Sequence, residues 1–203
     1  MHFKPANFSF MMAVAAFLWT AQALPAQAAS TISLGGPVVI DDFKTALNGG
    51  AQTGDGILGS RSAFMGTGNS ITIGGGVAEF SASTSFDAGL AYGIGDGSGF
   101  DLTQDDANTH FSLSGGILNP FSKNGNLIWP TFDLQIFASN GSEFADYFAT
   151  FDPSGEENSG PIDMEDVLNL GTLLVAFSDF EQTSGFSFTN VNLVGFSLSS
   201  DSD

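Results

Sequence analysis

Cysteine is absent from this 203-residue sequence, and basic residues are scarce, with four Lys and Arg against 22 Asp and Glu. Without cysteine the chain has no disulfides, no thiolate metal ligands and no cysteine nucleophile. The formal charge of −18 excludes a conventional nucleic-acid binder, because such proteins neutralise phosphates with clustered Lys and Arg. A hydrophobic content of 42% argues against disorder, so the fold has to rest on its core.

Histidine is nearly as scarce, and this limits enzymatic chemistry. The two histidines are His2 and His110, so a zinc site made of several histidines is excluded once residues 1–28 are removed. A Ser-His-Asp triad would have only His110 to use, and no G-x-S-x-G motif accompanies it. Paired carboxylates are inevitable among 22 acids and indicate nothing by themselves. We therefore expect no catalytic residues, with a hydrolase left as the third alternative.

The first 28 residues have the pattern of a secretory signal peptide. Lys4 supplies the positive region, Phe8 to Trp19 the apolar region, and Ala26-Gln27-Ala28 the small-residue cleavage site. The apolar run is shorter than the ~20 residues that a membrane-spanning helix needs. We expect a secreted or periplasmic protein of one domain, residues 29–203, with no membrane association after cleavage.

Short apolar–polar alternations separated by Gly, Asn, Asp and Ser are typical of an all-β chain, and favour a sandwich or a barrel. The predicted strands are Pro37–Phe43, Asn69–Ile73, Val77–Ser83, Phe86–Gly93, Thr109–Ser114, Thr131–Ser139, Glu143–Phe151, Thr172–Ser178 and Val191–Leu198. One short helix is allowed between Asp163 and Leu170, after Pro161. The glycine-rich stretch from Gly49 to Gly68 is predicted to be a loop.

Arg61 is the sole arginine, and it lies in a strongly acidic chain. We expect a structural ion pair with Asp41 or Asp42, and direct contact with a ligand is the alternative.

Two acidic stretches could hold a structural calcium ion, because carboxylates and loop carbonyls suit Ca²⁺. Asp96, Asp101, Asp105 and Asp106 form the first, and the second spans residues 152–166. The spacing of an EF-hand is absent from both, and the alternative is a solvated loop.

The candidate ligand contacts are few. Trp129 could offer an aromatic platform for a sugar ring, or instead pack in the core. Tyr92 and Tyr147 are the other aromatic candidates with a polar group. His110 and Asp133 are predicted to point outward from their strands, where they could contact a ligand.

Several short segments together resemble a known family. They are Val39-Ile-Asp-Asp-Phe43, Gly56-Ile-Leu-Gly-Ser-Arg61, Phe100-Asp-Leu-Thr103, Leu174-Val-Ala-Phe-Ser-Asp-Phe180, Gly185-Phe-Ser-Phe-Thr-Asn-Val191 and Gly195-Phe-Ser-Leu198. Over residues 37–199 the chain resembles the galactose-binding-like jelly-roll domains of bacterial secreted proteins, and is similar to family 11 carbohydrate-binding modules. The resemblance implies a two-sheet antiparallel jelly roll, often a structural calcium, and a sugar-binding face. Relatives often carry a Pro-Glu-Pro sorting tail, which this sequence lacks.

These observations favour a secreted, non-catalytic β-sandwich that binds carbohydrate, with polysaccharide or cell-surface glycan as its partner. The alternative is a structural or adhesive matrix protein whose association depends on divalent cations.

Export gives the first testable prediction. Cleavage after Ala28 should leave a secreted product whose N-terminus lies near Ala29, because the three regions of a signal peptide occur in the required order. Mass spectrometry of the exported protein measures this directly. An intact Met1 on a cytoplasmic protein would contradict the prediction.

Overall fold

The computed structural model describes residues 37–82, 87–94, 99–118, 121–123, 126–128, 131–151 and 168–200. The predicted signal peptide, Asp96, Trp129 and the acidic stretch 152–166 lie outside the described residues.

The described part of the chain forms twelve β-strands and one short 3-10 turn at Phe177–Asp179. The strands are β1 (Ser60–Met65), β2 (Asn69–Gly74), β3 (Val77–Ala82), β4 (Asp87–Gly93), β5 (His110–Leu118), β6 (Phe121–Lys123), β7 (Asn126–Ile128), β8 (Phe132–Ser139), β9 (Phe144–Phe151), β10 (Leu168–Ala176), β11 (Glu181–Gln182) and β12 (Leu193–Ser199). No helix in these ranges is long and apolar enough to cross a membrane.

The strands pack as a two-layer antiparallel sandwich. One layer is a six-stranded sheet in the order β1-β4-β12-β8-β9-β11. The opposite layer contains the β2–β3 hairpin and the β5–β10 pair, while β6 and β7 form a separate hairpin. Consecutive strands change layers, so that β2, which lies between β1 and β4 in sequence, packs against both of them.

The core lies between the layers because successive side chains in a strand point to opposite faces. On the six-stranded sheet, Phe196 of β12 is in register with Leu90 of β4 and Ile136 of β8. An edge-to-face contact between the rings of Phe196 and Phe80, 5.7 Å apart, joins this sheet to β3. Such aromatic pairs add about 0.5–1.5 kcal/mol beyond the area that they bury.

Phenylalanines fill the other end of the core. The rings of Phe177 and Phe188 stack with centroids 4.3 Å apart, and Phe111 of β5 meets both of them edge-on. Phe180 and Phe186 complete the cluster against Phe188. This cluster contains five of the 21 phenylalanines in the sequence.

The all-β sandwich predicted from the sequence is confirmed, and eight of the nine predicted strands coincide with β2, β3, β4, β5, β8, β9, β10 and β12. Pro37–Phe43 is not a strand. Its only β-type pairing among the described residues is an isolated bridge between Asp41 and Ile57. The stretch from Gly49 to Gly68, predicted to be a loop because of its many glycines, contains strand β1. At the end of the possible helix Asp163–Leu170, Leu168–Leu170 instead belongs to β10, which pairs with β5, and residues 163–167 lie outside the described ranges.

Gly195 marks a close approach at the centre of the six-stranded sheet. A Cβ atom there would lie 2.6 Å from the carbonyl oxygen of Leu90 and 2.3 Å from the ring of Phe137. The ring can move, whereas the carbonyl belongs to the neighbouring strand. The position therefore excludes any side chain.

Gly195→Ala should destabilise the fold by about 1–3 kcal/mol, the usual cost of overpacking. Gly74→Ala in β2 is the matched control, because a Cβ at that position meets nothing within 4 Å. Chemical denaturation of the two variants compares the costs. Equal stability of the two variants would contradict the close approach at Gly195.

Candidate functional site

Arg61 forms a buried ion pair with Asp41. Its Nη1 atom lies 2.8 Å from Asp41 Oδ2, and the two side chains are 0% and 2% exposed. The Nη2 group donates to the carbonyl oxygen of Thr45 and to Gln52 Oε1. Within the described residues, Nε of Arg61 is the buried side-chain polar atom that lacks a hydrogen-bond partner. Arg61 thus ties the irregular segment 41–52 to β1.

The Asp41 carboxylate is engaged on both oxygens. Oδ1 accepts a 2.8 Å hydrogen bond from the backbone N–H of Phe43. Oδ2 accepts a 3.0 Å hydrogen bond from the Tyr92 hydroxyl as well as the Arg61 contact. Burial is the largest cause that raises the pKa of Tyr92, and the Asp41 charge adds to it, so the hydroxyl stays protonated and donates. Tyr92 is therefore buried beside the Arg61–Asp41 pair. The prediction that it contacts a ligand is wrong.

Asp42, the second partner predicted for Arg61, pairs with Lys44 instead. The Lys44 Nζ and Asp42 Oδ2 atoms are 2.7 Å apart, and the lysine side chain is 74% exposed. The Asp42 carboxylate packs directly over the Cα atom of Gly56. A Cβ atom added to Gly56 would lie 2.1 Å from Asp42 Oδ1, so the orientation of Asp42 requires glycine there. Gly56 also has a φ of +79°, which favours glycine.

The predicted calcium residues do not converge in the described part of the chain. Asp101 is buried, and its carboxylate accepts hydrogen bonds from the N–H and hydroxyl of Thr103 and from the N–H of Asp105. Burial alone would raise the pKa of Asp101, but these hydrogen bonds together outweigh it and lower the pKa. Asp105 and Asp106 are exposed, and no group of three or more acids or histidines gathers among the described residues. Calcium binding stays a prediction, since Asp96 lies outside those ranges.

The remaining predicted ligand contacts lie on different surfaces. His110 is exposed at the start of β5, in the second layer, and its Nδ1 is 2.7 Å from Thr109 Oγ1. Tyr147 points from β9 into the core, where its ring meets Phe180 at 5.9 Å. Asp133 is exposed on the outer face of β8 and accepts a 2.6 Å hydrogen bond from Thr150. Of these three residues, only Asp133 lies on the outer surface of the six-stranded sheet.

That outer surface carries a group of side chains that we name the aromatic–carboxylate face. Its members alternate with the core residues of β8, β9 and β11, and the register places them side by side. They are Asp133, Gln135, Phe137, Phe144, Asp146, Phe148, Thr150 and Glu181.

Two exposed aromatic rings bracket a carboxyl group on this face. Phe144 and Phe148 of β9 are 37% and 46% exposed, and Asp146 lies between them on the same side of the strand. On the neighbouring strand, Phe137 is in register with Asp146 and Gln135 with Phe148. The face therefore offers apolar rings and polar groups in alternation.

The carboxyl group of Asp146 lies in an unfavourable environment for a charge. The residue is only 9% exposed, and burial is the largest cause that raises its pKa. The charge of Glu181, its register partner on β11, raises the pKa further, while a hydrogen bond from Gln135 opposes the shift. Ionised Asp146 thus lacks a compensating cation on its own strand and on both neighbouring strands.

Sequence reasoning missed most of this face. Phe144 and Phe148 are not among the ligand contacts predicted from the sequence, because phenylalanine is usually buried and has no polar group. The missed signal was parity: Phe144, Asp146 and Phe148 share one side of β9, opposite the side of Tyr147. Gln135 shares one side of β8 with Asp133, yet Gln135 is buried beside Asp146 while Asp133 is exposed.

Comparison with protein-family models finds no match to this chain, and comparison with curated proteins finds none either. The properties of the site therefore follow from its own geometry.

Arg61→Ala should unfold the protein at a clearly lower temperature. Removing one partner of a buried pair leaves the other charge uncompensated, at a cost of about 3–5 kcal/mol. For a domain of this size each kcal/mol corresponds to about 2–4 °C in Tm. Calorimetry measures the shift.

Lys44→Ala is the matched control, because it breaks the exposed pair with Asp42. Its Tm should stay at the wild-type value, since exposed pairs are screened by water and salt. Similar Tm values for the two variants would contradict a structural role for the Arg61–Asp41 pair.

Proposed function

We propose that this protein is a secreted, non-catalytic module that binds extracellular polysaccharide through the aromatic–carboxylate face. The observation that carries the proposal is the pair of exposed rings, Phe144 and Phe148, with the Asp146 carboxyl group between them. The apolar face of a sugar ring stacks on an aromatic ring, and its hydroxyls donate to carboxylate and amide oxygens. Both kinds of group lie on one sheet face, with the two rings exposed and the Asp146 carboxyl group largely buried between them.

The spacing of the rings favours an extended ligand. Phe144 and Phe148 are four residues apart in one strand, which corresponds to about 13 Å along β9. One sugar ring is too short to cover both positions. A chain of linked sugars running along the strand can stack on both rings, while its polar groups meet the small exposed parts of Asp146 and Gln135.

Rigidity is a further argument for ligand binding. The face is formed by strands β8 and β9, which pair over their whole length from Phe132–Phe151 to Ser139–Phe144. A binding face held by a ladder of hydrogen bonds loses little conformational freedom when it binds, so more of the contact energy appears as affinity. The resemblance to secreted galactose-binding-like domains, and the predicted signal peptide, favour the same function.

Phe148→Ala should weaken retention on a polysaccharide column or in a pull-down by about tenfold or more, because it removes an exposed stacking surface. Leu174→Ala is the matched control: Leu174 is a 64% exposed apolar residue in the second layer. A panel of soluble and insoluble polysaccharides, tested against the wild type and both variants, gives the measurement.

Retention of the wild type on at least one polysaccharide, lost in Phe148→Ala and kept in Leu174→Ala, would support the proposal. If no polysaccharide retains the wild type, or if the two variants behave alike, the proposed binding face is wrong. Self-association that requires calcium, without any retention, would instead favour a structural matrix protein.

A further inference from the structure

The aromatic–carboxylate face has an imbalance of charge. Asp133, Asp146 and Glu181 lie on β8, β9 and β11, and none of these three strands contains Lys, Arg or His. The described ion pairs of Arg61 and Lys44 engage Asp41 and Asp42, which lie in a different part of the fold. The face thus presents carboxylates whose nearest strands supply no neutralising group.

We infer that the preferred ligand is a polysaccharide built from amino sugars with free amine groups, and that Asp146, together with Glu181, binds the ammonium. This inference rests on the proposed polysaccharide binding and specifies its chemical class. Acidic polysaccharides are disfavoured, because their carboxylates or sulfates would approach three acids and a chain of net charge −18.

The surroundings of Asp146 fit an ammonium group in three ways. First, Asp146 and Glu181 are register partners on adjacent strands, so one cation can contact both carboxylates. Second, Asp146 is largely buried, so a charge-assisted hydrogen bond to it is weakly screened by water. Third, the rings of Phe144 and Phe148 flank it, and aromatic faces attract cations.

A sugar amine is favoured over a lysine-rich peptide by the rings. The same ligand has to stack flat rings on Phe144 and Phe148 and place a cation between them. A chain of aminated pyranoses meets both requirements with one repeating unit. A lysine-rich peptide supplies the charge but no ring-shaped apolar face, so it cannot stack on Phe148 as a pyranose does and should lose less binding in Phe148→Ala.

The test uses two ligands that differ only at the nitrogen. Calorimetric titration compares an oligosaccharide of β-1,4-linked glucosamine with its fully N-acetylated counterpart, at a pH where the free amine is protonated. The free amine should bind about 10- to 100-fold more tightly, since hydrogen bonds between charged groups are the stronger ones. Polylysine serves as a third ligand, to measure attraction by charge alone.

Two variants assign the effect to this site. Asp146→Asn should remove the preference for the free amine, so that both oligosaccharides bind with similar affinity. Glu79→Gln removes the same charge from an exposed position on β3 in the other layer, and should leave the preference intact.

The stability of Asp146→Asn shows whether the variant is folded. Burial and Glu181 raise the pKa of Asp146, so its ionised form lowers the stability of the fold once the pH exceeds the ordinary pKa of an aspartate. Asp146→Asn should therefore keep a wild-type Tm or a higher one at neutral pH.

The outcomes separate the two proposals. Equal or tighter binding of the acetylated oligosaccharide overturns the amine preference and leaves polysaccharide binding standing. An equal loss in Glu79→Gln and Asp146→Asn reduces the effect to diffuse attraction and also overturns it. The same holds if Phe148→Ala weakens binding of the free-amine oligosaccharide no more than it weakens binding of polylysine. If neither oligosaccharide binds and the polysaccharide panel is negative as well, both proposals fail.

Discussion

The buried ion pair between Arg61 and Asp41 is the interaction on which the irregular part of this protein depends. Residues 41–58 contain no regular strand, and their backbone makes two isolated bridges and a few single hydrogen bonds, such as that of the Leu47 N–H to the Ile73 carbonyl oxygen. Arg61 compensates by binding Asp41, Thr45 and Gln52 from one side chain anchored in β1. Because both charges are buried, removing either partner would leave an uncompensated charge and lower the stability of the fold. One arginine therefore ties three points of a segment whose apolar residues, such as Phe43 and Leu47, also pack against the core.

The aromatic–carboxylate face arises from the same alternation that builds the core. Along β9, Ala145, Tyr147 and Ala149 turn inward, so Phe144, Asp146 and Phe148 must turn outward. β11 then places Glu181 beside Asp146. Apolar rings and unneutralised carboxylates on an open sheet face are costly for a protein that binds nothing, because they expose apolar surface and oppose like charges. Binding of an extended, aminated polysaccharide would offset both costs.

Strand parity carried much of the fold prediction, since eight strands follow from apolar–polar alternation in the sequence. The failures have identifiable causes. Glycines around β1 suggested a loop, yet Ser60–Met65 pairs with β4 along its whole length. Leu168–Leu170 followed a helical start signal, but pairing with β5 overrode it. For the site, the sequence named Asp133 and the pairing of Arg61, but it assigned the two tyrosines to ligand binding when both point into the core.

The sequence by itself determined the fold class, the acidic character of the molecule and the need for Arg61 to find a carboxylate, because these follow from composition and local periodicity. Only the tertiary structure decided that Asp41 is the partner of Arg61 while Asp42 pairs with Lys44, since the fold buries the Asp41 carboxylate beside Arg61 and leaves Asp42 partly exposed. It also decided that Glu181 meets Asp146 between two exposed rings. These residues are 35 positions apart, and the pairing of β11 with β9 that joins them leaves no local signal in the chain.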